Sequence, residues 1–262
     1  MATTTSPEAT EGTEGTAAEL PTLHLKLLGG FVLTHDGHNG PDEEDGEDDR
    51  AVDVPASAQQ LLALLGLRGA ATRSAVAGTL WPDVTEDRAR ACLRTAMWRL
   101  NGAGAALSDA RPGMLSLSRL VRIDVHDLTA TAHHVLTVSE GRDGAACEAL
   151  LGSGELLPGW CQDWVVFERE RLHQLRLHAL EALSARLVAE GEYAPALEAA
   201  LESIRVDPLR ESAHRAAVSV HLAENNLAEA VRHYEAFRVL LRRELGLEPS
   251  GQFFTMVRSA ME

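Results

Sequence analysis

The chain has 262 residues, with 24 basic and 39 acidic side chains, and its formal net charge is −15. Hydrophobic residues make up 45% of it and charged residues 24%, which is typical of a globular protein and excludes wholesale disorder. There is no apolar run of the roughly 18 residues that cross a membrane, no signal-peptide pattern, and three scattered cysteines argue against a disulfide framework. We therefore expect a cytoplasmic protein of one or two domains.

The charge is unevenly distributed along the chain. Residues 1–50 carry a net charge of −10 and residues 127–262 a net charge of −8, whereas residues 51–126 carry +3. All nine basic residues of this middle section are arginines, and Lys26 is the only lysine in the chain. A local basic surface can bind DNA even when the whole protein is acidic. The middle section is therefore the candidate for nucleic-acid binding.

The first predicted elements are strands. Residues 1–21, rich in Thr, Ala, Glu and Gly, predict a disordered tail. The segment from Leu23 to Thr34 predicts a strand broken by two glycines, and Ala51 to Val54 predicts a strand that closes a small sheet. Between them, residues 37–49 are dominated by carboxylates and predict a solvated acidic loop.

Three helices and a hairpin are predicted next. The helices cover Ala56 to Leu67, Arg73 to Leu80 and Glu86 to Asn101, and the expected caps are Ser57 or the preceding turn, Thr72 and Thr85. Short strands are predicted at 106–108, 114–118 and 121–125, with a turn at 109–113. The order is strands, three helices, then a hairpin.

The third helix carries the functional signal. Its apolar residues fall at helical spacing, which leaves Arg90, Arg94, Thr95, Trp98 and Arg99 on the remaining surface. Guanidinium groups can read guanine edges bidentately or bind phosphates. The plain alternatives are a solvated amphipathic helix or arginines that pair with acidic residues. The preceding helix starts at Arg73, and the hairpin carries Arg111, Arg119 and Arg122. This helix-turn-helix-wing order favours DNA binding.

The second half is helical and contains a repeat. A weak helical pattern covers Leu128 to Leu151, and a strong one covers Asp163 to Glu190. An apolar cluster is expected where the chain enters the long helix, formed by Trp160, Cys161, Trp164 and Phe167. Gly191 aligns with Asn225, an offset of 34 residues. This is the period of tetratricopeptide repeats, in which small residues let paired helices approach closely. We expect Tyr193 and Tyr234 to pack in the core.

Taken together, the segments ASAQQLLALL, SAVAGTLWPD, RACLRTAMWRL and RIDV resemble the OmpR-type winged helix. More closely, they are similar to that domain in the Streptomyces antibiotic regulatory protein family. In the second half, LLPGWCQDWVVFERERLHQLRLHALEAL and DPLRESAHRAAVSVHLAENNLAEAVRHYEAFRVLLRRELGLEPS resemble the bacterial transcriptional activation domain of the same family. The resemblance covers about Leu23 to Pro249.

This resemblance implies a mainly α fold with a small β part. An N-terminal OmpR-type winged helix-turn-helix at 22–126 would precede an all-α, tetratricopeptide-like activation domain at 127–262. It implies a small-type activator, of a secondary-metabolite gene cluster, that binds direct repeats near the −35 region beside a second protomer and recruits RNA polymerase holoenzyme. The residues expected to contact DNA are Arg73, Arg88, Arg90, Arg94, Thr95, Trp98, Arg99, Arg111 and Arg119.

Other function classes have less support. No nucleotide-binding, zinc-binding or nucleophile motif is present, so we expect neither an enzyme nor a cofactor or metal site. The alternative is a tetratricopeptide-like interaction scaffold or signalling adaptor. Such a scaffold should be indifferent to duplex DNA, whereas a DNA-binding protein loses affinity steeply as salt rises.

Overall fold

The computed structural model describes residues 23–35, 51–101, 107–111, 113–137 and 144–262. The predicted tail at 1–21 and the predicted acidic loop at 37–49 lie outside these residues. The N-terminal half contains strands β1 Leu23–Lys26 and β2 Val32–His35, helix α1 Ala56–Arg68, strand β3 Ala71–Thr72, helices α2 Arg73–Leu80 and α3 Glu86–Asn101, and strands β4 Leu107–Arg111, β5 Met114–Leu117 and β6 Val121–Ile123. Helices then continue to the end: α4 Asp124–Thr137, α5 Gly144–Gly152, α6 Asp163–Glu190, α7 Tyr193–Val206, α8 Glu211–Ala223, α9 Leu227–Leu245 and α10 Gly251–Ser259.

The predicted helix caps are confirmed in part. The Thr72 hydroxyl accepts a hydrogen bond from the Ala75 amide at 3.2 Å, as expected for the N-cap of α2. Pro55 precedes α1 without a side-chain cap, so the capping role predicted for Ser57 is wrong and the preceding turn starts the helix. The Thr85 carbonyl accepts from the Ala89 amide at the start of α3.

Two small sheets form among the described residues of the N-terminal half. In the first, β1 pairs antiparallel with β2 and parallel with β6. In the second, β5 lies between β3 and β4, antiparallel to both. The predicted strand Ala51–Val54 is wrong: Ala51 makes a single bridge to Thr34 and the Val52 amide donates to the Leu33 carbonyl. The predicted turn at 109–113 is also shorter, because β4 continues to Arg111.

The C-terminal half is a stack of antiparallel helices in which each of α6 to α9 packs against the next. Helices α7 and α8 form one pair and α9 and α10 the next, which agrees with the predicted 34-residue period. Ala196 and Ala230, at equivalent places in the two units, are fully buried. Tyr234 is buried as predicted, whereas Tyr193 is only half-buried. The whole chain is thus mainly α with a small β part.

The two halves share one hydrophobic core. Trp164, Val165 and Leu172 of α6 belong to the same buried cluster as Leu25 of β1 and Leu61 of α1. Trp160 stacks on Phe31, with ring centroids 6.3 Å apart, and meets Trp164 edge to face. Phe167, predicted to join this cluster, is 72% exposed instead. Its helix turns it away from the core.

Backbone hydrogen bonds also join the halves. Leu28 pairs with Leu156 in an antiparallel bridge, the Leu157 amide donates to the Leu27 carbonyl at 2.9 Å, and the Gly29 amide donates to the Glu155 carbonyl at 2.8 Å. Arg169 donates to the carbonyls of Leu156, Leu157 and Trp160 and so fixes the shape of this connecting segment.

Asp124, the first residue of α4, ties that helix to β1. Its carboxylate accepts from the amides of Leu27 and Leu28 at 2.9–3.0 Å, and also from the Val125 amide. Burial raises the pKa of the Asp124 carboxyl, although these three amides oppose the shift. Residue 126, where we placed the domain boundary, lies inside α4. The two halves therefore meet through a continuous helix and a common core.

Candidate nucleic-acid interface

Helix α3 separates its residues into a buried stripe and an exposed face. Ala89, Leu93, Ala96 and Leu100 are at most 3% exposed and pack against the core. A turn of about 100° per residue directs Arg94, Thr95 and Trp98 away from this stripe, and all three are exposed. Trp98 is 75% exposed, which is far more than packing alone would leave for an indole. This face has the length and chemistry to enter a major groove.

Two more arginines line one side of the exposed face. Arg88 and Arg99 border a shallow groove of about 370 Å³, whose other wall includes Ser57 of α1 and Trp81 after α2. Thr95 lies on the edge that this groove shares with the outer face. A basic flank beside a base-reading face is suited to a phosphate of the DNA backbone.

On the other side of α3, the predicted arginines are engaged within the protein. Arg90 pairs with Glu86 one turn earlier, with 2.5 Å between Nη2 and Oε1. Arg73 is half-buried, and its Nη1 donates to the Met97 sulfur at 3.2 Å. This contact holds the start of α2 against α3. Arg73 therefore braces the helix-turn-helix as well as lying beside the exposed face.

The hairpin that follows is attached at the same end of α2. The Arg73 amide donates to the Gly113 carbonyl at 3.2 Å, and β3, directly before α2, pairs with β5. Arg111 pairs through its backbone with Met114, next to the hairpin turn, but its side chain lies outside the described residues. Arg119 is exposed in the turn after β5. It therefore lies at the far end of β5 from the hairpin turn.

Arg88, Arg94 and Arg99 are not neutralised by neighbouring acids. Within the described residues, no carboxylate lies within 4 Å of their guanidinium groups. Their positive charge is therefore directed to solvent, where an anionic backbone can approach.

Within the part of the chain that the structure describes, no group of three or more His, Cys, Asp or Glu side chains has the arrangement of a metal site. No helix among the described residues is long and apolar enough to cross a membrane.

Two residues of this surface escaped sequence analysis. Ser57 is predicted only as a cap, and no role on this surface is predicted for Trp81, although both line the groove beside α3. Trp81 also packs against the core. Ser57 and Thr95 are far apart in sequence, so no local pattern could have joined them. Only the packing of α1 against α3 does so.

Comparison with protein-family models identifies a known domain in the C-terminal half. Residues 148–259 match the family model of the bacterial transcriptional activator domain. The match covers α6 to α10 and agrees with the resemblance found in the sequence. It spans less than half of the chain. No curated protein sequence matches the chain.

A solved structure supports the fold of both halves. The chain is similar to Mycobacterium tuberculosis EmbR in complex with a low-affinity phosphopeptide, with a TM-score of 0.67 and 20% sequence identity. The likeness covers 92% of this chain and 65% of the EmbR chain, so our chain spans less than two thirds of that protein's length. At this identity the likeness concerns the fold alone. It includes both the helix-turn-helix half and the activator domain.

Proposed function

We propose that the chain is a sequence-specific DNA-binding transcriptional activator, with residues 22–126 as the DNA-binding part and 127–262 as the activation part. The observation that carries this proposal is the exposed, unpaired arginine face of α3 in a chain whose residues 148–259 match a transcriptional activator domain. In our proposal Arg94, Thr95 and Trp98 contact base edges. Arg88 and Arg99 contact phosphates from the groove beside α3. Arg73, Arg90, Arg111 and Arg119 contribute at the margins.

The finer functional assignment follows the family resemblance. We infer an OmpR-type winged helix of the small type, bound to direct repeats near the −35 region of a promoter with a second protomer on the adjacent repeat. The activation part recruits RNA polymerase holoenzyme. The regulated genes belong to a secondary-metabolite cluster, and the protein works in the cytoplasm at the nucleoid.

The shared core suits such a role. Trp164 and Val165 of α6 pack with β1 and α1, so α3 and the activation part are joined through one hydrophobic core. A protein bound through α3 would hold its helical half in a fixed direction relative to the DNA. A fixed direction favours contact with a polymerase bound beside it, because little freedom is lost on association.

Binding of the full-length protein to its own upstream promoter tests this proposal. Fluorescence anisotropy should show tight binding to the promoter duplex and weaker binding to a scrambled duplex. The logarithm of the binding constant should fall linearly with the logarithm of salt concentration, at a slope of about −0.9 per phosphate contacted. Footprinting should show two adjacent repeats. Equal, negligible binding to both duplexes would instead favour the interaction scaffold.

In vitro transcription with purified holoenzyme then tests activation. Full-length protein should raise the transcript yield from the same promoter. The Arg94→Ala variant should lose both this effect and promoter occupancy. Occupancy without any increase in transcript would contradict the activator function while leaving DNA binding intact.

A further inference from the structure

A cavity of about 550 Å³ lies where the two halves of the chain meet. The N-terminal side contributes Leu28, two residues after β1, and α4 contributes Leu128. The opposite walls come from the segment 153–156, α6 and the end of α7. Aliphatic side chains line much of it: Leu28, Leu128, Leu156, Val166, Leu172 and Val206. This volume lies in the range of small-molecule sites, about 300–1,000 Å³.

Basic side chains converge on the same cavity. Arg169, His173 and Arg176 follow one another on successive turns of α6, and Arg205 approaches from α7. Arg176 is the most enclosed of them, with 9% of its side chain exposed. Its Nε donates to the Leu150 carbonyl at 2.9 Å and its Nη2 to the Leu151 carbonyl and Glu202. A guanidinium held in this way has a fixed orientation.

In each of the three arginines at the cavity, Nε and Nη2 donate hydrogen bonds within the described part of the protein and Nη1 does not. Arg205 uses Nε and Nη2 to bind Glu202, both at 2.6 Å, and Arg169 uses the same two nitrogens for carbonyl groups and Glu155. For Arg169, Arg176 and Arg205, no acceptor lies on Nη1 within the described residues. Each Nη1 carries two N–H donors, so these three cavity-lining arginines retain donors for a further acceptor.

The charge beside Arg176 and Arg205 favours an anion. One carboxylate, Glu202, pairs with both the enclosed Arg176 and the mainly exposed Arg205, so these two arginines carry one positive charge more than the carboxylate that they share. Burial is the main cause that lowers the pKa of Arg176; Glu202 opposes this effect and the charge of Arg205 adds to it. Of the other carboxylates at the cavity, Glu155 pairs with Arg169, and Glu170 accepts a hydrogen bond from Gln174.

We propose that this cavity binds a small monocarboxylic acid with an apolar body. The carboxylate lies at Arg176 and Arg205, and the apolar part packs on the leucine wall that includes Leu28 and Leu128. Because the ligand contacts residues from both halves, its binding stabilises their junction. The proposal is independent of DNA binding.

Three probes with the same eight-carbon chain test the proposal by isothermal titration calorimetry on the full-length protein. Octanoate should bind with one-to-one stoichiometry and raise the thermal midpoint, whereas 1-octanol should bind about tenfold more weakly and octylammonium should not bind. Equal affinity for octanoate and octanol, or tighter binding of octylammonium, would overturn the proposal, because both results would exclude recognition of the anion.

Two variants locate the binding site, and one matched variant serves as a control. Arg205→Gln should weaken octanoate binding about three- to tenfold, since it removes one charge-assisted contact. Arg232→Gln removes an arginine of equal exposure that pairs with Glu229 three residues away, as Arg205 pairs with Glu202, and should leave octanoate binding unchanged. Val206→Phe should abolish it by filling the cavity. Unchanged octanoate binding in both Arg205→Gln and Val206→Phe would place the ligand elsewhere and refute this site.

Discussion

The side chains of α3 point in different directions, and we therefore expect them to contact different parts of the DNA. Arg94 points away from the buried stripe, whereas Arg88 borders the groove beside α1. We expect Arg94→Ala to cost about 1–3 kcal/mol at the cognate site and to relax sequence preference. Arg88→Ala should weaken cognate and scrambled duplexes alike. Anisotropy titrations on both duplexes measure this difference.

An exposed arginine on another helix supplies the control for that experiment. Arg232→Ala on α9 removes a charge of similar exposure and should leave both affinities unchanged. Equal, sequence-independent losses for Arg94→Ala and Arg88→Ala would exclude direct base reading by Arg94.

A histidine cluster between α8 and α9 makes stability depend on pH. The His214 and His233 rings share a hydrogen bond, with 3.1 Å between Nδ1 and Nε2, and His214 stacks on Phe237. Burial, with the nearby His214 and His221, lowers the pKa of His233 from 6.5 to about 4. The unfolded chain therefore takes up a proton near pH 6.5, which the folded protein does not accept until about pH 4.

Stability should accordingly fall as pH drops from 6.5 towards 4. The contribution of His233, discounted for its partial exposure, is about 1–2 kcal/mol. Urea unfolding across this range should show a shallower loss for His233→Gln than for the unaltered protein. Parallel curves for the two proteins would show that His233 is not the group that titrates.

Gly154, in the segment between α5 and α6, lies close to the backbone of Gly29 in the other half. A Cβ at this position would lie 2.9 Å from the Gly29 amide nitrogen and 3.0 Å from its Cα. These are backbone atoms, which cannot turn aside as a side chain can. We expect Gly154→Ala to lower the free energy of unfolding by about 1–3 kcal/mol, measured by denaturant titration.

Gly152, at the end of α5, provides the matched substitution. A Cβ there meets no atom within 4 Å, so Gly152→Ala should change stability by less than about 1 kcal/mol. If both substitutions had the same small effect, the close approach at Gly154 would not constrain the junction.

The bounds of helices that carry a regular apolar pattern within their own sequence could be predicted accurately. The patterns at Arg73–Leu80, Glu86–Asn101 and Asp163–Glu190 predict helices with the observed bounds, because each has a clear cap, a regular apolar stripe or a terminal glycine. The strands were less predictable. Ala51–Val54 alternates like a strand yet makes only one bridge, since pairing requires a partner that its own sequence does not specify.

For the whole molecule, the shared core predicts cooperative unfolding. Trp164 is 5% exposed and packs among residues of both halves. Trp164→Ala should cost about 3–5 kcal/mol and should destabilise the helix-turn-helix half together with the helical half. Calorimetry should show a single transition at a lower temperature for this variant.

Phe167, three residues later on the same helix, is 72% exposed and serves as the control. Phe167→Ala should alter the free energy of unfolding by less than about 0.5 kcal/mol. Two separate transitions in the unaltered protein, with only the upper or lower one shifted by Trp164→Ala, would mean that the halves fold independently.

The shared core also changes how the DNA-binding half must be tested. A fragment that ends at residue 126 would cut α4 near its start and would lack Trp164, Val165, Leu156 and Leu157. Because these side chains complete the core around β1 and α1, the fragment would expose a large apolar surface. Experiments on DNA binding therefore belong on the full-length protein.

By itself, the sequence determined the basic middle section, the arginine-rich third helix and the 34-residue repeat, and its resemblance to a known family implied the class of fold. The basic section and the third helix depend on composition or on neighbours within a few turns of one helix, and the repeat depends on the similarity of two segments of the chain, so each can be recognised without a tertiary structure. The tertiary structure alone decided that β6 joins β1, that Ser57 meets Thr95 across a groove, and that Arg176 and Arg205 share Glu202 in a cavity between the halves. Such contacts join residues that are distant in the chain, and they form only when burial of apolar surface brings whole elements together.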